Sequence, residues 1–180
     1  SRNSTNGTKM DTSPSNAETP PEPTEAALAS VTQQVDAIDE IIGYARTRIQ
    51  LFDTDMAWGG WNRPARVDAI SRFLRGGRHV ALDIIVHDTR WLESSSGRLL
   101  VLLRQFPHAV TIYRTGSEAA GAMDPLLVVD RAHCVHRFHI DQPRASLIVA
   151  QPAAVKSLAS RFDEIWATGE PGLSSTTLGL

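Results

Sequence analysis

The chain has 180 residues, of which 42% are hydrophobic, and its formal net charge is −2. This length suits one domain of about 150 residues plus a tail, with the composition of an ordinary globular protein. The small net charge excludes a strong overall field that would attract nucleic acid or an anionic membrane. Sixteen arginines accompany only two lysines, which fits either a coding bias or a preference for bidentate anion contacts.

Cysteine content and hydropathy predict the compartment. Cys134 is the only cysteine, so the chain cannot form an intrachain disulfide. No stretch approaches the roughly 18 to 20 apolar residues that cross a bilayer, and the N-terminus is polar rather than a signal peptide. We therefore expect a cytoplasmic protein.

The first half of the chain predicts a tail followed by a helix, a strand and a second helix. Residues 1–24 are dominated by Ser, Thr, Asn and Pro, so we expect a disordered polar tail. Apolar residues at helical spacing predict a helix over 25–45 that is capped by Thr24. The run RIQLFD at 48–53 predicts a strand. A helix is predicted over 64–75, because a proline begins it and two glycines follow it.

The second half alternates in the same way and then changes to closely spaced strands. The near-continuous apolar run at 79–86 is typical of a central strand covered on both faces. The other predicted elements are a helix at 91–106, strands at 110–113, 126–129, 134–140 and 146–150, and a helix at 152–166.

This order predicts a single α/β domain over residues 25–170. Strand–helix–strand repeats indicate right-handed parallel crossovers. The later strands, joined by short turns, should extend the sheet in an antiparallel direction. We thus expect a mixed, mainly parallel sheet with helices on both faces, and a loose C-terminal tail at 171–180.

Three stretches carry a resemblance to a known family. They are PLLVVDRAHCVHRF at 125–138, AAVKSLASRFDEIWATG at 153–169, and IQLFDTD at 49–55. Together they resemble the phospholipase D-like domain superfamily. The span is also similar to an uncharacterised bacterial group of such domains, some of which follow GNAT acetyltransferase domains.

The catalytic signature of that superfamily is His-x-Lys, four further residues, and Asp. In this chain the aspartate position is Asp130, the lysine position is Pro125 and the histidine position is Met123. The glycine-serine pair that follows the signature is also absent. An imidazole must attack phosphorus and a cation must stabilise the phosphoryl oxygens, so we do not expect covalent phosphohistidine chemistry.

A candidate binding crevice lies where the parallel strands end, since open α/β sheets bind ligands there. The sequence places Asp53, Asp55, His87, Asp88 and Arg114 at this rim. Carboxylate, imidazole and guanidinium groups are typical of a binding crevice. Alternatively, Asp88 caps the next helix, while Asp53 and Arg114 form an ordinary surface pair.

The loop MAWGGWNRP at 56–64 supplies two further candidate binding residues, Trp58 and Trp61. Large aromatic side chains in a loop often mark recognition, and Arg63 and Arg66 could meet an anionic group. Both tryptophans could equally pack over the following helix.

No metal site or cofactor is predicted. His133 and His139 would lie about 20 Å apart along one strand, which is too far to share an ion. Cys134 and His136 share the other face, but nothing near them in sequence supplies further ligands.

These observations favour a catalytically inactive phospholipase D-like binding or interaction module of unknown ligand. The resemblance implies a homodimer and an acetyltransferase-type protein partner. From the lack of a long apolar stretch we expect no membrane association. One alternative is a phosphodiesterase or hydrolase with a rebuilt site that uses His87. Another is nucleic-acid binding through the arginines of residues 63–78, which the net charge disfavours.

Overall fold

The computed structural model describes residues 19–176, which form an eight-stranded sheet with helices on both faces. The strands are β1 (Thr24–Leu28), β2 (Arg48–Asp53), β3 (Ala81–Val86), β4 (Val110–Arg114), β5 (Leu126–Val129), β6 (His133–Arg137), β7 (Ala145–Val149) and β8 (Glu170–Leu173). The helices are α1 (Val31–Gly43), α2 (Pro64–Arg75), α3 (Arg90–Ser95), α4 (Gly97–Gln105) and α5 (Pro152–Ala167). Of the predicted polar tail, residues 1–18 lie outside the described range.

The strand order is β1-β7-β6-β5-β2-β3-β4-β8, and most neighbouring strands are antiparallel. Only β2–β3 and β3–β4 are parallel within the described range. The predicted α/β class is confirmed, whereas the expectation of a mainly parallel sheet is wrong. The antiparallel pairs within residues 19–176 are β1–β7, β7–β6, β6–β5, β5–β2 and β4–β8, and they outnumber the two parallel pairs.

The first predicted helix begins later than the sequence indicated, because a strand precedes it. Residues 24–28 pair with β7, and the helix begins after Ser30. Ser30 Oγ accepts a hydrogen bond from Gln33 N at 3.2 Å, while Gln33 Oε1 accepts one from Ala29 N at 2.7 Å. These reciprocal contacts define the N-cap, so Ser30 takes the role predicted for Thr24.

Three other segments differ from the prediction. The strand predicted at 134–140 covers only His133–Arg137. The helix at 91–106 is divided at Ser96, whose backbone leaves the helical region just before Gly97. Residues 170–173, predicted to be at the start of the loose tail, pair with β4 as an edge strand.

The sheet separates two apolar layers. Helices α1, α2, α3 and α4 pack on one face with side chains such as Ile49, Leu51 and Leu127. Helix α5 packs alone on the other face with Phe52, Leu126 and Phe162. We call these the four-helix face and the α5 face. Because side chains alternate along a strand, each residue near the ends of β2 and β5 belongs to one face or the other.

Across residues 19–176, the longest apolar helices are too short or too polar to span a bilayer.

Candidate functional site

Two of the three phospholipase D signature positions, those of Met123 and Pro125, lie at one end of the sheet. Leu126, the first residue of β5, pairs with Phe52, so Pro125 lies beside the last residue of β2, Asp53. Met123 precedes it and is 38% exposed. We call this end of the sheet, where β2 and β3 finish and β5 begins, the signature end.

Pro125 belongs to the four-helix face, because it continues the row of Leu127 and Val129 and lines a cavity with Ile38 and Leu51. The space beside Pro125 is almost closed. Trp58 and Arg137 line a cavity of about 10 Å³ there, together with apolar residues. A cavity of this volume has room for about one water molecule and is far too small for a phosphodiester.

Three side chains fill this space: Asp53, Trp58 and Arg137. The indole Nε1 of Trp58 donates to Asp53 Oδ1 at 3.1 Å. The guanidinium carbon of Arg137 lies 4.7 Å from the centre of the Trp58 ring, in cation–π geometry. Arg137 also donates from Nε to Gln142 O at 2.7 Å and from Nη2 to Ile140 O at 2.8 Å. The cluster therefore ties β2, the following loop and the end of β6 together.

Asp53 is fully buried, and its Oδ2 has no hydrogen-bond partner among the described residues. Burial raises the pKa of Asp53 to about 7, although hydrogen bonds from Trp58 and from the amide of Thr54 act in the opposite direction. Burial also lowers the pKa of Arg137, and the nearby carboxylates of Asp53 and Asp141 oppose that shift.

The candidate residue His87 lies on the α5 face, where its ring contacts Phe52 edge to face. Its Nδ1 lies 2.6 Å from Thr115 Oγ1, and its Nε2 lies 2.6 Å from the carbonyl oxygen of Ala122. A carbonyl can only accept, so Nε2 carries a proton and Nδ1 of the neutral ring accepts from the threonine hydroxyl. Both ring nitrogens of His87 therefore have hydrogen-bond partners within the protein.

The predicted rim residues are therefore divided by the sheet. His87 and Arg114 line one open groove of about 460 Å³ together with Asp88, whose carboxylate pairs with Arg90. Asp53 lies under the opposite face, hydrogen-bonded to Trp58.

Trp61 lines the same small cavity as Trp58 but, unlike Trp58, leaves no surface exposed. It is fully buried, and its ring lies 4.6 Å from the guanidinium carbon of Arg66. The ring approaches Gly59 so closely that a Cβ there would be 2.4 Å from Trp61 Nε1. Trp61 thus offers no surface to a partner.

The α5 face of the signature end carries a polar cluster that the sequence did not indicate. His136 Nε2 donates to Asp124 Oδ2 at 2.7 Å, and Arg161 donates to both oxygens of that carboxylate. Burial raises the pKa of Asp124, but these hydrogen bonds outweigh it and bring the pKa to about 2. Its members are 12 and 37 residues apart in sequence, so no local pattern reveals it.

Asp130, the one signature residue that the chain keeps, is at the opposite end of β5. Its Oδ1 accepts hydrogen bonds from the amides of Thr47 and Arg48, and its Oδ2 accepts one from Arg46, each at 2.9 Å. These contacts fix the turn that leads into β2 and give Asp130 a structural role.

Within residues 19–176, His, Cys, Asp and Glu side chains do not gather in a group of three or more that could hold a metal ion. The sulfur of Cys134 is buried, and burial raises the pKa of its thiol well above the ordinary range.

The mixed sheet, its two helical layers and the position of the signature residues define a phospholipase D-like fold. Similar solved structures include Nuc from Salmonella typhimurium, a phospholipase D family member, with 16% identity and a TM-score of 0.57 over 85% of this chain and 100% of that one. NucT from Helicobacter pylori has 12% identity and a TM-score of 0.54 over 84% of this chain and 100% of that one.

A third similar structure is TrmBL2, an archaeal chromatin protein described as having a novel mode of DNA binding. It has 12% identity and a TM-score of 0.63 over 83% of this chain, which spans only 55% of TrmBL2. The chain belongs to the family described as a domain of unknown function (DUF7931), whose model matches residues 30–175. No curated protein sequence matches it significantly.

Proposed function

We propose that this chain is a non-catalytic phospholipase D-like module that associates with a second copy of itself through the signature end of the sheet. One observation carries the proposal. The positions of the nucleophile and its cationic partner hold Met123 and Pro125, and Trp58 and Arg137 fill the space beside Pro125.

The chemistry of the filled space supports a non-catalytic role. A thioether cannot form a phosphohistidine-type intermediate, and Arg137 already donates to two carbonyl groups. The alternative of a rebuilt hydrolase needs a free imidazole. Both ring nitrogens of His87 are engaged, and His136 lies on the other face of the sheet.

Exposed apolar side chains at the same end support association. Among the described residues, the exposed large apolar side chains are Val101, Met123 and Phe138, and the last two belong to the signature end. Phe138 is 53% exposed and follows directly after Arg137. Such side chains suit a protein interface, and the family resemblance points to a two-fold dimer across this end.

Other partners receive less support from the geometry. Arg66, one of the arginines considered for nucleic-acid binding, is fully buried, and Arg75 donates to Ser71 Oγ within its own helix. An acetyltransferase-type partner stays a prediction from the resemblance.

An activity assay tests the first half of the proposal. The wild-type protein should not hydrolyse bis-p-nitrophenyl phosphate or single-stranded DNA above the buffer rate. The Met123→His/Pro125→Lys double variant should be inactive too, because Trp58 and Arg137 leave no room for substrate. Turnover by the wild-type protein that is lost in His87→Ala would contradict the proposal.

Sedimentation velocity tests the second half. We expect a dimer at micromolar concentration and a dissociation constant at least about 30-fold weaker in Phe138→Asp, as for an interface hot spot. Val101→Asp is the matched control, since Val101 is 40% exposed on α4 and should leave association unchanged. A wild-type protein that stays monomeric, or equal effects of the two substitutions, would rule out this interface.

A further inference from the structure

One guanidinium connects the buried carboxyl of Asp53 with the exposed segment that carries Phe138. Arg137 donates to Ile140 O and Gln142 O, so it holds the 138–144 segment between β6 and β7 against the sheet. The segment has further contacts: Gln34 Nε2 on α1 donates to Pro143 O, and the Phe138 ring packs edge to face against His136. Its amides of Phe138 and Ile140 donate to Arg144 O and Met123 O.

On its other side, the same guanidinium stacks on Trp58, which donates to Asp53. Asp53 Oδ1 accepts this hydrogen bond and one from Thr54 N at 2.6 Å, while Oδ2 is buried without a described partner. A neutral carboxyl tolerates that position far better than a carboxylate does, because an uncompensated buried charge is costly.

We propose that Asp53 is a proton-operated latch that controls the position of the 138–144 segment and thereby association through the signature end. The effect of Asp53 on association rests on the proposed dimer, whereas its effect on the position of the 138–144 segment does not. When Asp53 is protonated, Arg137 is free to hold the two carbonyl groups. When Asp53 is ionised, its bare oxygen competes for Arg137, and the segment is released.

The charged groups around Asp53 agree with this direction. Asp55 in the following loop raises the pKa of Asp53, adding to the larger effect of burial. From β6, Arg137 provides the positive charge, and Asp141 in the held segment acts on the same guanidinium. The Arg137 guanidinium is attracted both to the carboxylates of Asp53 and Asp141 and to the carbonyl oxygens of Ile140 and Gln142. A change of charge on Asp53 therefore changes which of these groups Arg137 favours.

The indole N–H of Trp58 donates to Asp53, so its ¹H–¹⁵N NMR signal follows the ionisation of that carboxyl. The Trp58→Phe variant assigns the signal. Between about pH 5.5 and pH 8.5, we expect this signal to titrate with a midpoint near 7. The amides of residues 140–142 should follow the same curve. A flat Trp58 signal, or segment amides that do not follow it, would overturn the proposal.

Asp53→Asn keeps the size and hydrogen-bond acceptor of the side chain, and it should abolish the Trp58 titration. It leaves every other residue unchanged, so any pH response common to both proteins can be subtracted. Asp55→Asn is the matched control and should only move the midpoint slightly lower. Arg137→Lys should preserve the Trp58 titration while uncoupling residues 140–142, since an ammonium cannot span both carbonyl groups.

Sedimentation separates failure of the latch from failure of the dimer. The wild-type dissociation constant should rise about tenfold from pH 6 to pH 8.5, and that of Asp53→Asn should stay constant. Equal pH dependence in both proteins would overturn the latch while leaving the dimer intact. If the protein is monomeric at every pH, the proposed dimer fails and the NMR titration alone decides whether the latch exists.

Discussion

Replacing Arg66 with methionine should lower the free energy of unfolding by about 2 to 4 kcal/mol. Arg66 is fully buried and donates to Gly59 O at 2.9 Å and to Val35 O at 3.3 Å. It also pairs with the half-exposed Asp39 and stacks on Trp61. Methionine fills a similar volume but leaves two buried carbonyl groups without donors.

Arg63→Met is the matched control for this substitution. Arg63 lies three residues earlier, at the exposed N-cap of α2, and its side chain makes no capping hydrogen bond. Its replacement should change the stability by less than about 0.5 kcal/mol, as is usual for surface sites. Urea denaturation monitored by circular dichroism measures both variants. Equal stability of Arg66→Met and the wild-type protein would show that packing alone holds the loop of residues 56–62.

The elements that the sequence predicted well have strong local boundaries. The structure gives β2, α2 and β5 the predicted limits, because an apolar run or a helical stripe ends there at a proline, glycine or aspartate. The two missed strands, β1 and β8, are at the edges of the sheet and bury only one side chain each, Leu28 and Leu173. Pro171 and Gly172 disfavour a strand locally, so only pairing with β4 makes β8 a strand.

The direction of strand pairing was harder to predict than the strands themselves. Short turns correctly indicated the antiparallel β5–β6–β7 meander. Pairing of β5 with β2 places the meander against the parallel part of the sheet, and this contact joins residues about 80 positions apart. Such a pairing has no local signal, which explains why the share of parallel pairs was overestimated.

Only part of the candidate site could be predicted from sequence. The unusual MAWGGW loop and the aspartate at the end of β2 were both identified, but their hydrogen bond was not. The inward turn of Trp61 depends on close approach to Gly59 and on the buried Arg66. Arg137 was recognised only as a strand residue, because its contacts with Trp58 and with Ile140 exist only after the sheet has formed.

The three signature positions of this chain differ in what they keep: one keeps a structural residue, and two lack the reacting groups of active superfamily members. Asp130 remains, and it fixes the turn before β2 through three backbone amides. The positions of the reacting groups hold Met123 and Pro125, and Trp58 and Arg137 occupy the space beside Pro125. This combination supports the proposal that the scaffold serves binding rather than catalysis.

Asp53 should make the protein less stable as the pH rises. Its carboxyl has a pKa of about 7 in the folded protein, above the ordinary value near 3.8. From about pH 4 to pH 7 the unfolded chain therefore loses this proton first, which favours unfolding, and the effect is complete above pH 7. Asparagine cannot ionise, so Asp53→Asn removes this dependence.

The difference in unfolding free energy between Asp53→Asn and the wild-type protein should grow in favour of the variant by about 2 to 3 kcal/mol from pH 5 to pH 8. Urea denaturation at several pH values measures it. His133 gives an opposite slope, since burial lowers the pKa of its imidazole, but both proteins contain His133 and it cancels in the difference. If the unfolding free energies of the two proteins change equally with pH, Arg137 already compensates the charge of the Asp53 carboxylate. Ionisation of Asp53 would then not destabilise the signature end.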